Sequence, residues 1–290
     1  MNNFFRKPFG RYSSLFAAAL TLVAQAGLAQ DVTLSDGNSV ATVNLAGGTG
    51  DSGMNSWAIN GQNQLQQQWF WFRVGSDPSG QHRLDSLGTP TVNTLSGNSV
   101  DATYHGTGFD VNIVYVLNGG QTGGNDWNSD IIESISIKNN TAADLNFHFF
   151  QYSDFRLGNT VGNSTVQIYQ DGGFFSKATV LKGGNQLSET IDNPLADHAE
   201  AGVTSDFPNT LDELNSGSPI TLNDNLSAGP DASADGTWAL EWDPTIGAGD
   251  SSDILKDKRL SVAPVPEPTS LALFSLGLGA FILRRSRRLV

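Results

Sequence analysis

The run Phe109-Asp110-Val111-Asn112-Ile113-Val114-Tyr115-Val116-Leu117 decides the fold, because its odd positions are all apolar while Asp110 and Asn112 are polar. Successive side chains of an extended strand point to opposite sides, so the odd positions form one face that meets a core. The same alternation recurs on both sides of this run. Asn, Gly, Asp, Ser and Thr punctuate it every eight to twelve residues, the pattern of an antiparallel sandwich or barrel.

Working outward, strands are predicted at Val40 to Leu45, and at Trp57 to Ile59 and Leu65 to Val74 on either side of Asn60-Gly61, a pair suited to a tight hairpin turn. Thr91 to Leu95 and Ser99 to Tyr104 flank Gly97-Asn98. Asp130 to Lys138 and Asp144 to Phe155 read as a pair joined by Asn139-Asn140-Thr141, and Thr165 to Gln170 and Phe174 to Val180 as another around Asp171-Gly172-Gly173. Gly183 to Asp235, rich in Asn, Asp, Ser and Pro, reads as loops with at most one helix, Asn209 to Leu214, capped by Asn209. Thr237 to Trp242, Asp253 to Leu255 and Arg259 to Val262 complete the set. The expected fold is all-β: a large antiparallel two-sheet β-sandwich, with a barrel as the alternative, occupying residues 30–262 as one domain.

Both ends lie outside this core. Arg6, Lys7 and Arg11 precede the apolar run Leu15 to Val23, and small residues at Ala26 and Ala29 offer cleavage sites, so residues 1–29 read as a secretory signal peptide. At the other end, residues 263–268 form a proline-rich linker holding Val265-Pro266-Glu267-Pro268. An apolar stretch from Leu271 to Leu283 follows, closed by Arg284, Arg285, Arg287 and Arg288. A full span needs about 20 apolar residues, and this one supplies 13. The arginines would stay on the cytoplasmic side and leave the rest of the chain outside. This tail resembles the PEP-CTERM domain of Gram-negative bacteria. The resemblance implies export, brief anchoring of residues 269–290 in the inner membrane, and processing by an exosortase for delivery to the cell surface, outer membrane or extracellular matrix. An ordinary uncleaved anchor is the competing reading of the same residues.

Without these ends, nine basic residues face 28 acidic ones, a formal charge of −19. Such a surface repels phosphate backbones and excludes a nucleic-acid partner. It suits divalent cations. The chain has no cysteine, so neither disulfides nor thiolate metal sites hold it together.

Two groups of residues are candidates for chemistry. Trp69 and Trp71 share a strand face, as do Trp238 and Trp242. If exposed, these rings would stack on sugars; if buried, they fill the space between the sheets. Glu133 falls in register with Ile131, Ile135 and Ile137 and so points inward. A buried carboxylate needs a charged or donating partner, and the strand arginines Arg73 and Arg156 are the residues available. As a catalytic acid, Glu133 would need a second carboxylate such as Glu241 or Asp154 about 5–9.5 Å away.

Other motifs are missing. His82, His105, His148 and His198 form no HExxH spacing, and neither a GxSxG elbow nor a phosphate-binding glycine loop occurs. Asp231 to Gly236, with Asp231 and Asp235, and Asn223-Asp224-Asn225 are dense in oxygen, yet lack the order of a calcium loop. Calcium is the one cofactor that Asp231 and Asp235 offer ligands for. The sequence therefore reads as an exported, non-enzymatic surface or matrix protein. The alternatives are a module binding exopolysaccharide and a polysaccharide-active enzyme.

Overall fold

The computed structural model describes residues 31–47, 52–121 and 127–264. The signal segment 1–29, the motif Val265 to Pro268 and the tail 269–290 lie outside the described residues. In chain order the strands are β1 (Asp31–Asp36), β2 (Ser39–Asn44), β3 (Gly53–Ile59), β4 (Gln62–Asn63), β5 (Leu65–Val74), β6 (His82–Arg83), β7 (Thr91–Ser96), β8 (Ser99–Gly106), β9 (Phe109–Gly119), β10 (Asn128–Asn139), β11 (Leu145–Phe155), β12 (Thr165–Asp171), β13 (Phe174–Lys182), β14 (Asn185–Asn193), β15 (His198–Val203), β16 (Ser227–Ala228), β17 (Gly236–Trp242), β18 (Thr245–Ile246) and β19 (Ser251–Ser261). A single α-helix among the described residues, α1 (Thr210–Leu214), starts where the sequence predicts. Asn209 Oδ1 accepts from the Asp212 amide at 2.9 Å, and Asp212 Oδ2 accepts from the Asn209 amide at 3.2 Å.

The strands form two antiparallel sheets. The first runs β1-β2-β3-β5-β11-β17-β15 with β4, β6 and β18 attached, and the second runs β16-β12-β13-β14-β19-β10-β9-β8-β7. In β9 the alternation is realised: Phe109, Val111, Ile113, Tyr115 and Leu117 are buried, while Asp110, Asn112, Val114 and Val116 are half-buried. The inner face of the first sheet carries Phe70, Phe72, Phe147 and Phe149. Phe72 lies 5.3 Å from Phe109 of the second sheet, and Phe70 lies 5.3 Å from Phe149 beside it. Each such ring contributes about 1.5–3 kcal/mol through burial.

At the centre of the sandwich sit four charges. Glu133 points inward from β10 as its register predicts and is fully buried, but Arg73 and Arg156 are not its partners. Arg73 points to the far side of the first sheet, and Arg156 donates to Asp235 at 2.9 Å. Glu133 instead meets Lys256 and Lys258 of β19, with Lys258 Nζ 2.9 Å from its Oε2. Glu189 of β14 completes the group, 3.3 Å from Lys256 Nζ and 3.0 Å from Lys258 Nζ. Gln151 donates to both oxygens of Glu189 at 2.9 and 2.8 Å, and the Trp238 indole donates at 2.7 Å, so the first sheet closes this cluster.

Three expectations are corrected. The strands around Asp130 to Lys138 and Asp144 to Phe155 do not pair: β10 lies in the second sheet and β11 in the first. The turn between them crosses layers, held by the Asn139 amide, which donates to the carbonyls of Ala143 at 2.8 Å and Ile246 at 2.9 Å. The region Gly183 to Asp235 contains β14, β15 and the short β16 as well as α1. In β14 the inward series is Leu187, Glu189 and Ile191, and the buried Glu189 disguises the period. The two pieces predicted near the end are one strand, β19, because Lys256 and Lys258 point inward rather than to solvent.

Candidate functional site

The outer face of the first sheet is covered by the segment around Gln81 to Leu87 and by the stretch from α1 to Leu222. Its aromatics are buried on that side. Trp69 donates from its indole to Asp85 at 3.0 Å, and Trp71 donates to Asn215 at 3.1 Å. Trp238 and Trp242 belong to the inner face, where the Trp242 indole reaches the Pro194 carbonyl at 3.0 Å. All four rings are 1 % exposed or less. Trp69 packs edge-on against Tyr104 of the second sheet, with ring centroids 6.2 Å apart, so it too fills space between the layers, and an exposed stacking platform is formed by neither pair.

Where the cover ends, a cleft of about 720 Å³ opens, lined by Arg73, Gly75, Ser76, Asn146, Phe147, His148, Pro219, Asp243, Pro244 and Thr245. Its charged floor follows from register. Arg73 of β5 stands opposite His148 of β11. Phe150, two residues along the same face, stands opposite Glu241 of β17. Asp243 follows Glu241 at the spacing of one strand face, so His148 lies between an arginine and two carboxylates.

His148 Nδ1 is 2.5 Å from Asp243 Oδ1 and 3.7 Å from Glu241 Oε1. The hydrogen bond to Asp243, and secondarily that to Glu241, pushes the His148 pKa up to about 9 against the opposing effects of burial and the Arg73 charge. Glu241 is fully buried, and burial raises its pKa although the Leu222 amide donates to Oε2 at 2.9 Å. Arg73 is fixed by Gln81 Oε1 at 3.0 Å and the Ile220 carbonyl at 2.7 Å. Ligand atoms of His148, Glu241 and Asp243 lie within 4.8 Å of one another, so these three could hold a cation. An apolar groove of about 360 Å³ adjoins the cleft, sharing Asp243 and Pro244 with it and lined by Phe174, Pro194, Leu195 and Trp242.

The residues singled out from sequence are distributed differently. Glu133 is sealed between the sheets, whereas Glu241 is buried on the opposite side of the first sheet beneath Leu222, so the two are not brought together across a groove. Asp154 lies on the outer face beside Asp235, with its pKa raised to about 7 by burial and then by the Asp235 charge. Asp235 accepts from Arg156 at 2.9 Å and from the Gly162 amide at 3.0 Å. Asp231 accepts from Ser233 and Ser205. Both loop carboxylates are thus committed to protein donors. Among the cleft residues, sequence reasoning passed over His148 and Asp243. The available signal was Glu241-Trp242-Asp243, two carboxylates on one face at the end of an otherwise apolar strand.

The PEP-CTERM protein-sorting motif matches residues 264–288. No curated protein matches the chain by sequence. Several solved structures share its fold. A putative aldose 1-epimerase from Escherichia coli K12 is 12% identical over 81% of this chain and 99% of its own, with a TM-score of 0.52. A galactose mutarotase related enzyme from Lactobacillus acidophilus is 8% identical over 82% and 100%, with a TM-score of 0.53. A bacterial glucoamylase solved with acarbose is 9% identical and reaches 0.54; this chain covers 36% of its length. At these identities the likeness is one of fold. The chain thus joins a sandwich like that of the aldose epimerases to a PEP-CTERM sorting motif, which makes it an exported, envelope-sorted protein and implies processing by an exosortase.

Proposed function

We propose that residues 30–262 are the passenger of a cell-surface or extracellular-matrix protein of a Gram-negative bacterium, and that this passenger binds exopolysaccharide in the cleft beside His148 without altering it. Export runs through the Sec machinery, residues 269–290 anchor the precursor briefly in the inner membrane, and exosortase releases it. The observation that carries the binding reading is the 720 Å³ cleft, where Arg73, His148 and Asp243 converge. Its volume suits one or two sugar rings, and its fixed donors and acceptors match hydroxyl groups. The solved structures of similar fold named for aldoses and glucoamylase support a saccharide over other polar ligands.

Retention of the purified protein on the organism's own polysaccharide, with and without calcium, tests this reading. Wild type is retained and His148→Ala is released; equal retention of both places binding elsewhere. Mass spectrometry of the mature protein from cells with and without exosortase tests the sorting. Persistence of residues 271–290 in wild-type cells rules out processing.

One observation favours a sugar-converting enzyme instead: the His148 imidazole stands 3.7 Å from the Glu241 carboxylate, two proton-transfer groups side by side. Polarimetry of freshly dissolved aldoses separates the two, since a binder leaves the rate of anomeric equilibration unchanged.

A further inference from the structure

The four charges between the sheets are arranged for chemistry as well as for pairing. Glu133 and Lys256 are direct cross-strand neighbours on β10 and β19, and their side-chain ends are in contact in a site without solvent. Lys256 Nζ also lies 5.2 Å from the Phe70 ring centroid. Lys258 Nζ donates to Glu133 Oε2 at 2.9 Å, while Glu133 Oε1 has no hydrogen-bond partner. Glu189 lies 3.3 Å from Lys256 Nζ and receives three hydrogen bonds from Gln151 and Trp238.

We propose that Lys256 and Glu133 condense to an intramolecular amide, a covalent link between β10 and β19. The Nζ lone pair attacks Glu133 Cδ, and Lys258 stabilises the charge that develops on Oε2, as a fixed cation does best in a water-excluded site. Oε1 already carries the proton that Lys256 gives up on becoming neutral, and Glu189 takes a second proton from Nζ and delivers it to the same oxygen, which departs as water. One C–N bond forms, one C–O bond breaks and one water leaves, so the step needs no oxidant, reductant or activated donor. Burial and the Lys258 charge hold the Lys256 amine well below its ordinary pKa, which favours the neutral nucleophile. Exclusion of water also protects the amide once formed.

The link replaces the most costly element of the core. Four desolvated charges become one neutral amide and one remaining ion pair, Lys258 with Glu189. It also fits a chain with no cysteine. β19 is the last strand before the sorting motif, so the amide fastens the strand bearing the tail to the centre of the body.

Peptide mapping of the full chain, purified folded and then denatured, tests the proposal. A branched peptide joining Glu133 to Lys256 is expected, lighter by one water, about 18 Da, than its two linear parts. Recovery of both linear peptides, with trypsin cutting after Lys256, overturns the proposal without recourse to any variant. A loss of the same mass traced to Asp36-Gly37 or Asp171-Gly172 overturns it too, because succinimide formation there mimics condensation. In Glu189→Gln the linear peptides are expected to predominate; full conversion in that variant overturns the role given to Glu189.

Discussion

Glu189 and Lys258 face each other across β14 and β19, as Glu133 and Lys256 do across β10 and β19, so the buried charges alternate in sign around a square. Each lysine touches both carboxylates. Pairing in this form is stabilising only while it is complete, because a buried charge without its counterion keeps its desolvation cost and loses its compensation.

Lys258→Met tests this. It removes the cation that Glu189 keeps once Lys256 and Glu133 are joined and should cost about 3–5 kcal/mol, read as a fall in the urea midpoint at unchanged slope. Replacing all four residues by apolar ones of matched volume should cost far less, or even stabilise. An unchanged midpoint in Lys258→Met would show that the carboxylates do not depend on the second lysine.

The His148–Asp243 pair makes stability depend on pH in the alkaline range. A histidine whose folded pKa is raised binds its proton more tightly than the unfolded chain does. Its contribution is therefore complete below pH 6.5 and is lost as pH rises through about 9. NMR titration of the imidazole should give a midpoint near 9, and Asp243→Asn should move it down towards 6.5. The stability gap between wild type and Asp243→Asn should close above that midpoint. An unshifted imidazole in the wild type would contradict the geometry.

Asp154 acts with the opposite charge. Its folded pKa is raised from 3.8 to about 7 by burial and by Asp235, so the folded state holds a proton that the unfolded chain releases. Stability from this group is present at low pH, declines as pH rises from 3.8, and is flat above about 7. Asp154→Asn keeps the shape and removes the charge. It should stabilise the protein at neutral pH by up to about 4 kcal/mol and flatten the profile between pH 4 and 7. Parallel profiles for the two proteins would count against a buried, proton-holding Asp154.

The alternation at Phe109 to Leu117 and the inward Glu133 were legible because neighbours in the chain set which side each residue faces. Their partners were not. Lys256 and Lys258 read as a break between two short strands, since lysine in a strand ordinarily marks a solvated face. Only the ladder that brings β10, β14 and β19 together reveals them as inward. The cleft was hidden for a related reason: Arg73, His148 and Glu241 are far apart in the chain and meet through registers between β5, β11 and β17. Trp69 and Trp71 were ambiguous because a strand buried on both faces has no polar face to mark its orientation.

The join between the sheets at one end rests on a close backbone approach. The β1–β2 turn of the first sheet lies against the end of β9 in the second. There the Gly119 amide donates to Asp36 Oδ2 at 2.8 Å, Asn38 N donates to the Gly120 carbonyl at 3.1 Å, and Gly120 N donates to Asn38 Oδ1 at 2.9 Å. A Cβ on Gly119 would collide with the Asp36 carbonyl, which is backbone and cannot rotate aside. Gly119→Ala should therefore push the hairpin off the second sheet at a cost of about 1–3 kcal/mol, the range of overpacking. Hydrogen exchange distinguishes this from a general loss of stability. The amides of Asn38, Gly119 and Gly120 should lose protection while those of β10 and β19, at the centre of the second sheet, keep theirs. Uniform loss across both sheets, or none at all, would mean that the two layers are not joined at this point.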